Sequence, residues 1–331
     1  MRTLSIGKIR GLQQIANSKG IITVCAMDHR DSLRRQLNEG NPDAVSYEDM
    51  VNFKMEMCCI IAPLASAVLL DPIYGAAQAI TSRSLPGRTG LLVSIEKSGY
   101  AGQSTARITE IMPEWNIEKV KKMGASAVKL LIYFRPDIKA AAAKQISLVS
   151  YLAEECSRED IPFLVESVSY PVENEKSHPE EFARKKPDLV FETARQLTVL
   201  PIDVFKAEFP ADIRYEKDRV KLEAYCRELS RVSQIPWVLL SAGIGYEQFK
   251  IQVEIACKSG ASGFMAGRAL WQEATRSRTA AERTAFLQET TVSRFKEIAD
   301  IADKYASPWW EVFATKGGEP GMVSEEWYRN Y

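Results

Sequence analysis

The stretch DVFKAEFP, at residues 203–210, is a short apolar run that ends in a lysine, Lys206. Seven other apolar runs also end at a polar, charged or glycine position, and consecutive ends are 25 to 43 residues apart. One strand–helix unit with its return takes about 30 residues or more. Eight such units close into an α/β (β/α)8 TIM barrel, in which the chemistry lies at the carboxyl ends of the strands. The pattern therefore predicts this barrel and a set of candidate site residues: Asp28, Asp71, Glu96, Lys129, Glu166, Lys206, Ser241 and Gly267.

The length of the chain fits one such barrel. Its 331 residues suit a barrel of about 250 residues with insertions and a tail. The hydrophobic share of 46% is enough for a large core, and no linker or change of composition divides the chain. We therefore expect one barrel domain over residues 1–331. An aromatic tail follows from about residue 306, and we expect it to pack on the barrel or on a neighbouring subunit.

Composition also limits the partners and the compartment. Lysine plus arginine and aspartate plus glutamate are both 43, so the balance gives no reason to expect nucleic acid or a membrane surface. The six cysteines are scattered, which is typical of buried, reduced thiols. Residues 1–5 have no signal-peptide core, and no apolar run reaches transmembrane length. We expect a cytoplasmic homo-oligomer that binds a small molecule.

Strands alternate with helices along the whole chain, as in a parallel sheet. Helices are predicted at residues 46–62, 117–123, 138–157, 179–200, 217–232, 246–258 and about 278–304. The predicted strands are Ile21–Ala26, Ser66–Leu70, Leu91–Ile95, Ala127–Tyr133, Phe163–Val168, Asp203–Ala207, Pro236–Leu240 and Gly263–Ala266.

Three charged residues on consecutive strands are the candidates for catalysis. Lys129, Glu166 and Lys206 lie inside strands four, five and six, on faces that point to a common centre. An ion-pair cluster that only ties the barrel together is the alternative. We favour a catalytic role, because buried ion pairs are poor stabilisers and because strand ends carry the catalysis of this fold.

Two lysines beside one carboxylate suit Schiff-base chemistry. An amine attacks a carbonyl only when it is unprotonated, and burial or a nearby cation favours that form. The resulting iminium ion stabilises an adjacent carbanion, and Glu166 would move protons during imine formation and carbon–carbon cleavage.

The scarcity of histidine argues against a metal site. His29 and His178 are the only two, and they have no ligand spacing. Zinc enzymes usually use several histidines or cysteines, although carboxylates alone could hold magnesium. We therefore expect neither a metal nor another cofactor.

The last two strand ends resemble an anion-binding corner. Ser241 and Gly243 precede one helix, and Gly267 and Arg268 follow strand eight. The loops after strands seven and eight often bind phosphate in barrels. Glycine lets the backbone approach an anion, and the guanidinium offers a planar fork. The alternative is that these glycines only form turns after the strands.

The other strand ends are less specific. Asp28 precedes Arg30, and it would either cap the next element or accept a substrate hydroxyl. Arg30, Asp71 and Glu96 are weaker candidates for substrate binding, since acids near the rim of a barrel are usually solvated.

Eight motifs follow one another along the chain: AMDHR (26–30), LLDPIYG (69–75), EKSGY (96–100), AVKLL (127–131), ESVSY (166–170), FKAEFP (205–210), LSAG (240–243) and SGFMAGRALW (262–271). Together, and in this order from about residue 21 to residue 310, they resemble the class I tagatose 1,6-bisphosphate aldolases and the related sulfofructose-phosphate aldolases. Only the combination is specific.

The resemblance implies that Lys206 forms the Schiff base, that Glu166 is the acid and base, that Asp28 and Lys129 assist, and that no metal takes part. The chain departs from the family at His29, where glutamine is common, and at Ala207, where valine is frequent. The first departure touches the predicted substrate pocket.

The predicted activity is cleavage of a ketose bisphosphate, such as tagatose 1,6-bisphosphate, into glycerone phosphate and a three-carbon aldehyde phosphate. One alternative is an aldolase for 6-deoxy-6-sulfofructose 1-phosphate, which gives sulfolactaldehyde. Another is a non-catalytic regulator that binds a phosphosugar, although binding alone needs no buried amine.

Overall fold

A computed structural model describes residues 4–315, 323, 325–329 and 331. Residues 1–3, which belong to the segment used to predict the absence of a leader, lie outside the described residues. So do residues 316–322, 324 and 330 of the predicted tail.

Eight parallel strands form a closed barrel, in which each strand pairs with its neighbours along the chain and the first pairs with the last. This confirms the (β/α)8 fold. The polar residues predicted at the strand ends gather at one end of the barrel, because all strands run in the same direction. The strands are β1 (Ile22–Met27), β2 (Ala67–Leu70), β3 (Gly90–Ser94), β4 (Ala127–Tyr133), β5 (Phe163–Val168), β6 (Val204–Ala207), β7 (Trp237–Leu240) and β8 (Gly263–Ala266).

Helices surround the barrel and follow the strands. Helix Tyr47–Ile61, which lies between β1 and β2 in the chain, begins with a capping box, in which Ser46 and Asp49 satisfy each other's backbone N–H groups. The helices are Ile6–Ile15, Asp31–Leu37, Tyr47–Ile61, Ala76–Thr81, Ile117–Lys122, Lys139–Arg158, Glu173–Ser177, Pro179–Leu197, Arg219–Val232, Tyr246–Lys258, Arg268–Trp271, Ala280–Phe286, Val292–Tyr305 and Trp309–Thr315. Short 3₁₀ turns occupy Pro42–Ala44, Gln272–Arg276 and Trp327–Arg329.

Three elements illustrate where the structure differs from the sequence-based expectations. Helix Ile6–Ile15 packs against the barrel near β1, β3 and β4, and a Cβ at Gly11 would lie 2.4 Å from the carbonyl oxygen of Ser126. A two-stranded hairpin, Ala101–Gln103 with Ala106–Ile108, is inserted between β3 and β4. A π-helical turn at Leu287–Thr291 divides the final helical region. All three depend on contacts with distant parts of the chain, which local patterns do not encode.

The aromatic residues of the tail behave in two ways. Trp309 is buried, and its backbone N–H donates to the carbonyl of Gly20 over 3.1 Å. The start of the tail therefore packs on its own barrel. Trp327, Tyr328 and Tyr331 are exposed.

The cysteines are free, and five of the six are buried as expected. Cys59 differs, because it lies on the outer face of helix Tyr47–Ile61 and is exposed. Among the residues that the structure describes, none of the helices combines the length and the hydrophobicity that crossing a membrane requires.

Candidate active site

A cavity of about 510 Å³ opens at the carboxyl ends of the barrel strands. This volume lies in the range of small-molecule sites. All predicted site residues except Asp71 line it: Asp28, Arg30, Glu96, Lys129, Glu166, Lys206, Ser241, Gly243, Gly267 and Arg268.

Lys129 lies at the centre of three carboxylates. Its Nζ is 2.8 Å from Asp28 Oδ2, 2.7 Å from Glu96 Oε1 and 3.0 Å from Glu166 Oε2. The side chain is 1% exposed. Burial alone would lower the pKa of Lys129, but the three negative charges raise it well above its ordinary value. Lys129 is therefore a fixed cation.

Lys206 has a simpler environment. Its Nζ donates to Glu166 Oε2 over 2.9 Å, and among the described residues this is its one ion pair. Glu166 and Lys206 are register partners on β5 and β6, which places both side chains at the same level of the barrel. The same oxygen of Glu166 thus faces both lysines.

The two lysines keep the neighbouring acids ionised. Burial acts to raise the pKa of Glu166, but the charges of Lys129 and Lys206 outweigh it and lower the pKa. Burial also acts to raise the pKa of Asp28, and the same two lysines hold it well below its usual range. At neutral pH both carboxylates are ready to accept protons.

The corner formed by the ends of β7 and β8 is open to an anion. Gly243 has φ +71°, and a Cβ there would lie 2.9 Å from the guanidinium carbon of Arg268. Arg268 makes neither an ion pair nor a hydrogen bond within the described ranges, and its Nε is buried without a partner. The hydroxyl of Ser241 accepts the backbone N–H of Gly267 over 3.2 Å, which joins the two loops. The guanidinium is therefore in place and unoccupied by the protein.

Asp71 does not reach the cavity, in contrast to the predicted substrate-binding role. It is fully buried and forms an ion pair with Lys54. Its second oxygen accepts the backbone N–H groups of Ile73 and Tyr74, each over 2.9 Å. Because all of these bonds are internal, Asp71 holds the turn after β2.

Arg30 and Glu96 line the cavity, but both are also bonded to other groups of the protein. One Nη of Arg30 donates to the carbonyl oxygen of Glu96 over 2.5 Å. Glu96 Oε1 binds Lys129, whereas Glu96 Oε2 is buried without a partner. Glu96 thus positions Lys129, and only its second oxygen is free for substrate.

Sequence reasoning missed an aromatic cluster at the mouth. Tyr100 and Tyr133 line the cavity, with ring centroids 5.2 Å apart. The guanidinium of Arg107, on the inserted hairpin, stacks over Tyr100 and Tyr170 at 4.6 Å from each ring. Tyr133 shares the inward face of β4 with Lys129, so alternation along the strand was a usable signal for it. Nothing local marked Tyr100.

The arrangement of the acids does not suit a metal ion. Asp28, Glu96 and Glu166 converge, but the ammonium group of Lys129 occupies the point where they meet. Over the part of the chain that the structure describes, no other group of three acids, histidines or cysteines is placed to bind one.

Comparison with known proteins identifies the family. The model of the DeoC/LacD family aldolases matches residues 22–273. The chain belongs to this family. This confirms the family predicted from the motifs and the prediction that the chain is an aldolase, a carbon–carbon lyase.

Curated relatives match over nearly the full length. The chain is 29% identical to tagatose 1,6-diphosphate aldolase 1 of Enterococcus faecalis, over 91% of this chain and 96% of the relative. It is also 29% identical to tagatose 1,6-diphosphate aldolase of Listeria monocytogenes, over 95% and 97% of the two chains.

Solved structures support the fold. A Schiff base-forming fructose-1,6-bisphosphate aldolase matches with a TM-score of 0.53 and 19% identity, over 84% of this chain and 97% of the other. Fructose-bisphosphate aldolase of Plasmodium falciparum matches with a TM-score of 0.71 and 12% identity, over 92% and 98%.

Proposed function

We propose that this family member is a class I aldolase that cleaves a ketose bisphosphate, with Lys206 as the Schiff-base residue. The contrast between the two lysines supports the assignment. Lys129 is held as a cation by three carboxylates, whereas Lys206 shares one carboxylate and faces the cavity. Only the second arrangement lets a single proton transfer release a free amine.

Imine formation begins when Glu166 takes a proton from Lys206 across the 2.9 Å hydrogen bond. The free amine attacks the ketone carbonyl carbon, and the carbonyl oxygen takes up protons and leaves as water. Lys129, as a permanent ammonium, stabilises negative charge on that oxygen during the attack. The product is a protonated imine between Lys206 and the ketose.

Carbon–carbon cleavage uses the same carboxylate. Glu166 accepts the proton of the hydroxyl on C4, the C3–C4 bond breaks, and its electron pair moves into the iminium to give an enamine. The aldehyde leaves from the C4 side. The enamine is then protonated at C3, and water hydrolyses the imine to release the ketone product and Lys206.

The anion of the substrate would bind the corner of β7 and β8. A guanidinium can make two parallel charge-assisted bonds to a tetrahedral oxyanion, and Arg268 has no competing partner within the described ranges. Ser241, Gly243 and Gly267 complete the corner. Arg35 also lines the cavity and has no ion-pair partner in the described part of the chain, which favours a second anion on the substrate.

The names of the relatives favour tagatose 1,6-bisphosphate as the substrate. Cleavage would give glycerone phosphate and a three-carbon aldehyde phosphate. The two relatives named above give no specific support to the sulfosugar alternative. Nor does the site favour a non-catalytic regulator, because binding alone needs no buried amine, such as Lys206, hydrogen-bonded to a carboxylate.

The remaining predictions about the chain stay proposals. We propose one barrel domain over residues 1–331, a homo-oligomer, and a cytoplasmic location without nucleic-acid or membrane partners. The balanced charge and the scattered cysteines support the last point.

Turnover on a panel of substrates tests the proposal. The panel contains tagatose and fructose 1,6-bisphosphates and 6-deoxy-6-sulfofructose 1-phosphate, with mass spectrometry of the products. We expect glycerone phosphate and glyceraldehyde phosphate from a bisphosphate. If the protein cleaves only the sulfosugar phosphate, the proposed bisphosphate substrate is wrong. Binding without any cleavage would contradict the enzymatic proposal.

A further inference from the structure

His29 lies in the cavity, and the mechanism above does not use it. It follows β1, and its ring meets that of Trp271 edge to face at 5.2 Å. Trp271 is itself fixed to β1, because its indole N–H donates to the carbonyl of Ala26 over 3.2 Å. A Cβ at Gly267 would lie 2.9 Å from Cε1 of the imidazole. The ends of β1 and β8 and the buried ring of Trp271 therefore enclose the imidazole ring.

The two nitrogens of the ring have different surroundings. Nδ1 is buried, has no hydrogen-bond partner and lies 3.8 Å from Asp28 Oδ1. The side chain is nevertheless 20% exposed and lines the cavity. Because Nδ1 is closed off, the Nε2 edge is the polar part of the ring that faces a ligand. An N–H on Nδ1 toward Asp28 would leave the lone pair of Nε2 as an acceptor.

The ring is neutral at physiological pH. Burial lowers the pKa of His29 to about 3, and the positive charges of Arg268 and Lys206 act in the same direction. Together they outweigh the opposing charge of Asp28. A neutral acceptor nitrogen does not bind a phosphate oxygen, which is also an acceptor. Its partner is a hydroxyl group that donates a hydrogen bond.

The neighbours of His29 indicate which hydroxyl this is. In the proposed binding mode, the anion on C1 lies at Arg268, C2 is bonded to Lys206, and Glu166 takes the proton of the C4 hydroxyl. His29 lies beside Gly267 and Arg268 on the wall formed by β1 and β8. The hydroxyl between the anion end and the cleaved bond is the one on C3.

We infer that His29 is a specificity-determining residue whose Nε2 accepts a hydrogen bond from the C3 hydroxyl of the ketose. The inference rests on the proposed aldolase function. After cleavage this hydroxyl is attached to the enamine carbon. By holding it, His29 fixes one of the two geometries of the enamine double bond. It thereby determines which hydrogen on that carbon of glycerone phosphate is exchanged and which configuration forms at C3 in condensation.

Glutamine and asparagine variants separate the two ring nitrogens. The amide of Gln lies at about the position of Nε2, and that of Asn lies near Nδ1. We expect His29→Gln to keep exchange of a single hydrogen of glycerone phosphate in deuterium oxide, followed by NMR. We expect His29→Asn to exchange both hydrogens and to lower kcat/KM on the bisphosphate about tenfold, the cost of one neutral hydrogen bond. His178→Asn, the same change at the other, exposed histidine, should match the parent enzyme.

The outcomes separate this inference from the proposed function. If the parent enzyme exchanges one hydrogen and His29→Asn does the same with unchanged kcat/KM, the role of His29 is refuted while the aldolase stands. If the parent enzyme neither exchanges a hydrogen nor forms a borohydride-stable adduct at Lys206, both proposals fall. Formation of the adduct in both variants would show that each folds and still binds substrate.

Discussion

The pairs Lys54–Asp71 and Lys206–Glu166 both lie near the carboxyl ends of the barrel strands, and they differ in what remains free. Lys54 and Asp71 are both fully buried, and Lys54 also donates to the carbonyl of Met27 over 2.8 Å. Lys206 and Glu166 face the cavity, and Glu166 shares one oxygen between two lysines. The first pair is satisfied entirely by the protein, whereas the second has room for a substrate.

The comparison shows that a charged residue at a strand end is not by itself a sign of catalysis. Both pairs are desolvated, but removal of the lysine leaves only Asp71 without a compensating charge, because Glu166 also pairs with Lys129. Lys54 comes from a helix and reaches inward to close a turn, and both oxygens of its partner Asp71 are bonded within the protein. The shared oxygen of Glu166 is the feature that distinguishes the reactive pair.

Replacement of Lys206 or Lys54 by methionine should reveal the largest difference in turnover between the two pairs. Lys206→Met removes the nucleophile, so we expect turnover to fall to background, with a far-UV circular dichroism spectrum like that of the parent. Lys129 still compensates Glu166 in this variant. Lys54→Met, the matched control, should keep turnover within a few fold. Comparable losses of turnover in the two variants would remove the distinction.

Glu166→Gln should lower kcat about a hundred- to ten-thousandfold, because proton transfer contributes that much to catalysis. Substrate binding should persist. The matched control is Asp71→Asn, which removes the corresponding charge of the other pair. Steady-state kinetics on the bisphosphate would check this, and near-native kcat for Glu166→Gln would rule out proton transfer by Glu166.

In stability, unlike in turnover, the Lys54–Asp71 pair should have the larger effect of the two pairs. Lys54→Met leaves a buried, uncompensated Asp71, which costs about 3–5 kcal/mol of the free energy of unfolding. Adding Asp71→Leu should recover much of the loss, since buried pairs are often replaced by apolar residues at little cost. Urea denaturation of the single and double variants measures both values. If the double variant is no more stable than the single one, the pair does not act as a unit.

Arg268→Lys should weaken binding of a substrate with a terminal anion by tens of fold. It keeps the charge but loses the two parallel bonds, and charge-assisted bonds are worth about 1.5–3 kcal/mol each. The control is a substrate that lacks the C1 anion. If the substitution harms that substrate equally, Arg268 is structural and the anion binds elsewhere.

Chelation should have the smallest effect. Lys129 occupies the point where three carboxylates converge, so we expect activity to survive EDTA treatment. Loss of activity that zinc or magnesium restores would contradict a Schiff-base mechanism that needs no metal.

The sequence predicted the barrel well because its strands are local patterns. Apolar runs with polar ends placed β4 and β5 at their observed bounds and β1 within one residue. Alternation along the strands also predicted that Lys129, Glu166 and Lys206 point to one centre. The predicted site roles of these residues remain to be tested by the variants above.

Other features depend on distant contacts and were not predictable in this way. Nothing near Asp71 shows that Lys54, from the preceding helix, would reach it. The same holds for Glu96, which binds Lys129 from the neighbouring strand. The hairpin with Arg107 stacks on aromatic rings that come from other segments, so its position is set by tertiary packing.

The most direct measurement is the position of the covalent adduct formed with substrate and borohydride. Reduction of the imine links the ketose to the attacking amine, and peptide mass spectrometry locates it. Our account predicts an adduct on Lys206 and none on Lys129, which three carboxylates keep protonated. An adduct on Lys129, or one that persists in Lys206→Met, would contradict the account.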